Sequence, residues 1–244
     1  MLKTSLLALV MGLSIDAVCQ VALVEDADPD ITIVNVEDGD RAFIAEIIRK
    51  VHSCNPKVIG IDLWFVTPKD QYEDPPLEAA LRIAQNDILG YTFTNGDFIR
   101  SHRKFTAHVE GEGLALVQST DDLVSYFTPI LQIRGEPHEH IAYKIVKQWE
   151  PGFSAEFEIN QRVRIKYERT LDKLNHIQGS RLNTLIHNEL IENKIVLLGY
   201  TGPSDEDKHF TPMRELGDYE DDEPDTYGVV IIANEIRTLI EMSK

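Results

Sequence analysis

Three apolar runs, each separated from the next by a helical pattern, constrain the fold of this chain more than any other feature. Residues 31–36, 58–65 and 88–93 are almost continuously apolar, which is typical of strands buried on both faces of a parallel sheet. Apolar side chains at helical spacing follow the first run over residues 43–51, and a segment that opens with prolines follows the second over 75–86. This β-α-β-α-β order predicts a parallel sheet with right-handed crossovers and helices on its faces.

The middle of the chain departs from this rhythm. Residues 94–135 mix glycines, charges and short alternating apolar runs, a pattern that favours antiparallel strands or hairpins. Periodicity elsewhere predicts three more helices and two more strands: helices at 138–149, 184–191 and 229–242, strands at 162–167 and 195–198. We therefore expect a single α/β domain with a mainly parallel sheet flanked by helices, plus antiparallel strands or hairpins from the middle region.

The charge balance excludes several classes of partner. The 244 residues include 24 lysines and arginines against 41 aspartates and glutamates, for a formal net charge of −17. Such a surface repels phosphate backbones and anionic lipid headgroups, so the sequence predicts no nucleic-acid partner and no membrane-binding face. Cysteines occur only at Cys19 and Cys54, which excludes a disulfide framework and a cysteine-based zinc site.

The first 24 residues differ from the rest of the chain. Lys3 precedes an apolar stretch over residues 6–15, and Asp16 ends this stretch. The stretch is short for a membrane span. This pattern is typical of a signal peptide, and a membrane anchor or an apolar helix packed on the domain are the alternatives. We expect residues 1–24 to direct export or anchoring, and residues 25–244 to form the folded domain.

Standard nucleotide-binding and hydrolase signatures are absent, since the chain contains no GxxxxGK[ST], GxSxG or HExxH. The nearest candidate is Asp38-x-Asp40 after the first strand, where phosphotransferases with an aspartate nucleophile place two carboxylates beside magnesium. In those enzymes the nucleophilic aspartate is the first residue after the strand. This chain has Asn35, Val36 and Glu37 at that point, before either aspartate. Capping of the next helix accounts for both aspartates, and we expect no catalytic residue and no cofactor.

Two other polar sets carry weaker patterns. His138 and His140 lie two residues apart at the start of a predicted helix, where they do not share a face, so a metal site would need distant ligands. Arg162, Arg164 and Lys166 form a basic stripe on one face of a predicted strand. In so acidic a chain, this stripe favours internal ion pairs over an anion site. Neither set predicts a metal or anion site.

Asp62 interrupts an otherwise apolar strand near its carboxyl end. Burial of an unpaired carboxylate is costly, so Asp62 either makes a structural hydrogen bond or faces the crevice where α/β proteins bind ligands. A second polar segment follows the strand at 195–198, in the sequence KIVLLGYTGPSDEDKHFTP. Its glycines, Gly199 and Gly202, are predicted to let the chain turn away from a buried strand.

Three segments taken together resemble the CHASE2 domain family. Residues 30–68 combine an apolar strand ending in acidic residues, a helix, and PKVIGID with an aromatic residue and a proline close behind. Residues 190–212 carry KIVLLG and an Asp…Phe-Thr-Pro loop, and residues 227–240 carry a Gly-Val…Ala-Asn helix. The resemblance runs from about residue 30 to the C-terminus, with the middle, 94–185, only loosely similar.

The resemblance implies an α/β sensor domain on the outer side of the cytoplasmic membrane of bacteria. Most relatives couple this domain through transmembrane helices to a kinase, a cyclase or another output domain, and the family has no established enzyme activity. Here the N-terminal apolar segment is short, and the sequence stops where such membrane helices would begin. We therefore expect either a free-standing exported sensor with a membrane partner or a fragment of a longer protein.

By analogy with α/β folds, a ligand would bind at the carboxyl edge of the sheet, where several polar residues are expected to converge. These candidates are Glu37, Asp38, Asp62, Thr201, Asp205, Asp207 and Thr211. So acidic an edge suits a cation or an amine-bearing solute better than an anion.

Three functions are compatible with the sequence. The leading one is a non-enzymatic sensor of the cell envelope that binds a small solute. The second is a magnesium-dependent phosphohydrolase that uses Asp38 and Asp40 with Asp62 or Asp207. The third is an envelope interaction module that docks a protein along residues 94–135.

Overall fold

A seven-stranded, mainly parallel sheet forms the centre of the molecule in a computed structural model that describes residues 27–83, 86–213 and 223–243. The sheet strands are β1 (Ile31–Asn35), β2 (Val58–Ile61), β3 (Asp87–Thr94), β4 (Asp97–Ile99), β5 (Gly111–Leu114), β10 (Asn175–Gln178) and β11 (Ile195–Gly199). Their order in the sheet is β10-β1-β11-β2-β3-β4, and β5 pairs with β3. Only β4 runs antiparallel to its neighbour, so the other strands end at one edge of the sheet.

Short antiparallel pairs surround this sheet. They join β6 (Tyr126–Phe127) with β9 (Val163–Arg164), β7 (Ile130–Ile133) with β8 (Glu136–Glu139), and β12 (Lys208–His209) with β13 (Thr226–Tyr227). The helices are α1 (Arg41–Ser53), α2 (Asp74–Leu81), α3 (Arg103–Thr106), α4 (Ile141–Trp149), α5 (Thr184–Ile191) and α6 (Gly228–Met242).

Helices cover both faces of the sheet. On one face, α1 buries an apolar stripe that includes Ile44, Ile47 and Ile48, and it packs together with α2 and α5. The Asp40 side chain caps this helix by accepting a hydrogen bond from the Phe43 amide at 2.8 Å. On the other face, α4 and α6 pack against each other and share a second core with the inner strands. The predicted α/β architecture is therefore confirmed.

Helix α6 is buried along almost its whole length, from Gly228 to Ile240. Near its C-terminal end, Arg237 pairs with Asp28 and lies 3.1 Å from a carboxylate oxygen of Asp30, both just before β1. In the middle of the helix, the Asn234 side-chain amide donates to the Arg169 carbonyl at 2.9 Å. These contacts fix α6 against the sheet and position its first turns over the carboxyl edge.

Several predicted bounds are wrong. The second strand ends at Ile61, so Asp62 is the first residue beyond it rather than a residue within it. His138 belongs to the β7–β8 hairpin and His140 caps α4, so that helix begins only at Ile141. The strand expected at 162–167 is reduced to Val163–Arg164.

Other strands follow from contacts that a local pattern does not encode. The middle region forms the predicted hairpins β3–β4 and β7–β8, but β5 joins the main sheet in parallel. Strand β10 was not predicted at all, because Asn175–Gln178 is polar and lies at the sheet edge, where one neighbour suffices.

The N-terminal segment 1–24, Cys19 and most of the acidic run at 218–225 lie outside the described residues. Within the described part of the chain, no helix is long and apolar enough to cross a membrane. Cys54 is buried, and its thiol lies 3.8 Å from the Thr184 carbonyl oxygen.

Candidate functional site

The carboxyl ends of β2, β3 and β5 meet α6 and the loop after β11 around a cavity of about 240 Å³, which we call the acidic cavity. Its position matches the crevice where ligands bind in open parallel sheets. Its lining residues are Asp62, Trp64, Thr92, Phe93, Thr94, Ala115, Leu116, Val117, His140, Asp207, His209, Gly228, Ile231, Ile232 and Glu235.

Asp62 enters the acidic cavity directly from the end of β2. Its backbone amide donates to the Leu198 carbonyl at 2.9 Å, which continues the sheet by one residue and fixes its direction. A Cβ atom added at Gly90 on the neighbouring strand would lie 3.5 Å from Asp62 Oδ1, so this carboxylate lies beside β3. No described residue makes a hydrogen bond to that carboxylate. Burial raises the pKa of Asp62 to about 7, and the nearby Asp207 carboxylate contributes to this shift.

Asp207 reaches the same space from the loop after β11. This loop returns to the sheet edge through the β12–β13 pair, and the Gly228 amide donates to the Asp207 carbonyl at 2.9 Å. Burial raises the pKa of Asp207 to about 6, although a hydrogen bond from the Gly228 backbone opposes this shift. Asp62 and Asp207 are therefore half-buried acids whose charges repel each other across the cavity.

Glu235 supplies the third carboxyl group, from a position two turns into α6. The residue is 3% exposed, and its Oε2 atom has no hydrogen-bond partner among the described residues. Burial raises the pKa of Glu235 well above its usual range, and the Asp62 carboxylate adds to this shift. An unsatisfied buried carboxyl is uncommon in folded proteins, because it gives up hydration without compensation.

His140 is a basic residue close to Glu235, but its ring already accepts a hydrogen bond from the backbone. Its Nδ1 atom lies 3.5 Å from Glu235 Oε2 and accepts a hydrogen bond from the Ala142 amide at 3.4 Å, as the N-cap of α4. Burial lowers the pKa of His140 to about 4, although a hydrogen bond to the Leu116 backbone acts in the opposite direction. At neutral pH the imidazole is therefore uncharged, so it does not balance the charge of the carboxyl groups that are ionised.

A second cavity of about 580 Å³ adjoins the acidic cavity, and Asp62, Trp64 and Asp207 line both. The Trp64 side chain is exposed at 41%, so its indole is available at the boundary. Asp38 and Asp40 line the second cavity, together with Arg41, Lys69, Glu206 and others.

The two basic side chains of the second cavity already have acidic partners. Arg41 pairs with the buried carboxylate of Asp74, and Lys69 Nζ lies 2.6 Å from Glu73. Because these cations are neutralised by residues behind the cavity wall, they do not offset the acids that face the cavity.

The remaining predicted residues lie elsewhere. Thr201 is buried, its hydroxyl is 2.9 Å from His176 Nε2, and it lines a separate cavity of about 460 Å³ with Glu37 and Asp38. Asp205 pairs with Lys208 at 2.6 Å and lines neither of the first two cavities. Thr211 is completely buried and donates to the Asp225 carboxylate at 2.7 Å, which closes the loop.

The structure also places the residues considered for metal or anion binding. Among the described residues, no group of three or more histidine, cysteine, aspartate or glutamate side chains is arranged to hold a metal ion. Asp38, Asp40, Asp62 and Asp207 share the second cavity without forming such a group.

Two side chains of the predicted basic stripe contact other residues of the same chain. Lys166 pairs with Glu241 at 2.8 Å, and the guanidinium of Arg162 lies 4.5 Å from the centre of the Tyr126 ring.

Among the residues of the acidic cavity that were not predicted from the sequence, Glu235 and Trp64 matter most to its chemistry. Glu235 stands alone among apolar residues in the last helix, VVIIANEIRTLI, which is a signal of a carboxylate on a buried face. Trp64 follows Asp62 by two residues and is the aromatic residue of the segment IDLWF. His140 was considered only as a metal ligand, whereas the structure makes it a neutral helix cap.

Comparison with known proteins identifies one family. The sequence model of the CHASE2 domain matches residues 6–244, which is essentially the whole chain. No curated protein and no solved structure matches the chain.

Proposed function

The chain belongs to the CHASE2 family of extracytoplasmic sensory domains, and we propose that it is a non-enzymatic sensor that binds a small solute in the acidic cavity. The observation that carries this proposal is the Glu235 carboxyl group, which is buried, lines a cavity at the carboxyl edge of the sheet, and has no hydrogen-bond partner at Oε2 among the described residues. Most buried polar groups in folded proteins have a hydrogen-bond partner, and carboxyls with a perturbed pKa in a cleft are candidates for functional sites.

The acidic cavity is bordered by helix α6, whose position against the sheet could respond to a bound solute. Gly228, Ile231, Ile232 and Glu235 form one wall, and all four belong to α6. A solute in the cavity would contact this helix and the ends of three strands at once. A solute whose affinity differs between two arrangements of α6 against the sheet would shift their populations, which is the physical requirement for signalling by population shift.

We place this sensor on the outer side of the cytoplasmic membrane, in the cell envelope. Family membership supports that location, and the signal-like segment at residues 1–24 supports export or anchoring. In this proposal, membrane association comes either from residues 1–24 or from a separate membrane partner that receives the signal.

A thermal-shift screen with small solutes tests the proposal, because any solute that binds only the native state raises the melting temperature. We expect one or more solutes to stabilise the wild type and to lose this effect in Trp64→Ala. The matched control is Tyr72→Ala, since Tyr72 is an aromatic residue exposed at 72% that lines neither cavity. Stabilisation that survives in Trp64→Ala, or a screen without any stabilising solute, would contradict binding at this site.

A further inference from the structure

Among the described residues, no lysine or arginine side chain lines the acidic cavity. Asp62, Asp207 and Glu235 contribute three carboxyl groups to the lining. The two histidines of the lining, His140 and His209, both have a lowered pKa because of burial, so they are neutral at neutral pH. When its carboxyl groups are ionised, such a lining attracts cations and repels anions.

The rest of the lining is apolar and aromatic. Phe93, Leu116, Val117, Ile231 and Ile232 all border the space, and the Trp64 indole stands where the acidic cavity meets the second cavity. A hydrated metal ion gains nothing from such a wall, whereas the hydrocarbon part of an organic cation gains burial free energy there. An indole face adds cation–π attraction for an ammonium group.

The hydrogen-bonding capacity also fits an ammonium group. A primary ammonium has three N–H donors and no acceptor. Neither Glu235 Oε2 nor the Asp62 carboxylate accepts a hydrogen bond from a described residue. A charged donor that reaches a buried carboxylate forms a short and strong hydrogen bond. It would also stabilise the ionised form of Glu235, which burial disfavours in the empty cavity.

On these grounds we infer that the ligand is a small organic cation, whose primary ammonium group lies among Asp62, Asp207 and Glu235 and whose hydrocarbon part packs between Trp64 and the apolar wall of α6. This inference rests on the proposed solute-sensing function and names the chemical class of the solute.

The test uses matched probes that differ only in the charged group: butylamine and benzylamine, their alcohols butanol and benzyl alcohol, and the anions butyrate and benzoate. Affinity is measured by calorimetry and by thermal shift with the full chain at slightly alkaline pH, where more of the carboxyl groups are ionised. We expect at least one amine to bind in preference to its alcohol and its anion. In Glu235→Gln, which keeps the size of the side chain, we expect that affinity to fall about tenfold or more.

Glu110→Gln is the control, because Glu110 is an exposed acid that lines none of the cavities described above. It should leave the affinity of the amine unchanged. If both amines fail to bind, or if their binding is unaffected by Glu235→Gln, the inference is wrong. Calcium or magnesium binding that depends on Glu235, without amine binding, would also overturn it.

Different results would overturn the proposed solute-sensing function and the inferred ammonium ligand. If neutral or anionic solutes bind and Trp64→Ala abolishes their binding, the cavity is a solute site but the assignment of an ammonium ligand is wrong. If no solute of any charge depends on Trp64, the solute-sensing proposal itself is wrong.

Discussion

At the scale of single residues, the acidic cavity places carboxyl groups where they reduce stability. Asp62 and Asp207 repel each other, and Glu235 has no compensating hydrogen bond at Oε2 among the described residues. A fold selected for stability alone would replace these acids with neutral or apolar side chains. Their presence at the carboxyl edge of a parallel sheet is the basis for assigning a binding role to this region.

Asp62→Asn should change how stability depends on pH. The folded-state pKa of Asp62 is raised to about 7 from 3.8, so the native state holds a proton more tightly than the unfolded chain does. Its contribution is fully present below about pH 3.8 and is lost as pH rises through about 7. An asparagine at this position does not titrate, so the variant should gain stability relative to the wild type as pH rises across that same window.

The upper limit for one titrating group is about 1.4 kcal/mol per pH unit, and it is reached only between the unfolded-state and folded-state pKa values. Urea denaturation at a series of pH values measures the difference. Asp38→Asn is the control, because Asp38 is an exposed carboxylate of the second cavity. Parallel pH profiles for the wild type and Asp62→Asn would show that Asp62 is not a perturbed buried acid.

Residue-level patterns predicted part of the cavity. Asp62 and Asp207 were recognised because carboxylates after apolar strands meet at one edge of a parallel sheet. Thr211 has the same sequence context, yet its hydroxyl is completely buried against Asp225, and only the loop conformation distinguishes the two cases. Glu235 could not be assigned to the cavity, because its place depends on how α6 crosses the sheet.

At the scale of elements, the contact between β11 and α6 positions the wall of the cavity. Gly199 ends β11, and a Cβ atom added there would lie 2.7 Å from the Val229 Cβ. Its φ angle lies outside the left-handed region, so the glycine is needed for close packing of α6 rather than for the turn that the sequence suggested. The first turn of α6 therefore approaches the sheet edge only because position 199 has no side chain.

Gly199→Ala should push Val229 away and destabilise the protein by about 1–3 kcal/mol, the usual cost of overpacking a core. The free energy of unfolding from urea denaturation measures this effect. In Gly152→Ala the added methyl group meets no atom within 4 Å, so that variant should be close to neutral. Equal stabilities for the two variants would show that α6 does not depend on this close approach.

Elements with strong local signals were predicted well. The helix at Thr184–Ile191 was expected within the same bounds, and α1 begins at the cap that Asp40 suggested. Strand β5 was missed because its sequence, GEGL, has weak strand propensity. Position 113 requires a glycine, because a Cβ atom there would lie 2.5 Å from the Cα of Ile141. This close approach depends on the tertiary fold, so the local sequence does not reveal it.

At the scale of the whole molecule, the central claim is that a solute site lies between the sheet edge and α6. The fold class followed from the alternation of apolar runs and helices, which dictates a parallel sheet. The family followed from three separated segments and is supported by the match over residues 6–244. The cavity itself brings together side chains as distant in sequence as Asp62 and Glu235, and no pattern within one segment could place them together.

Fluorescence of Trp64 tests this claim most directly. The chain contains two tryptophans, and the other, Trp149, is half-buried at the end of α4 under Lys57. Trp149→Phe therefore leaves Trp64 as a single reporter at the junction of the two cavities. We predict that a solute that raises the melting temperature will change the Trp64 emission saturably, with the same dissociation constant. A stabilising solute that leaves the Trp64 emission unchanged at saturation would contradict a solute site between the sheet edge and α6.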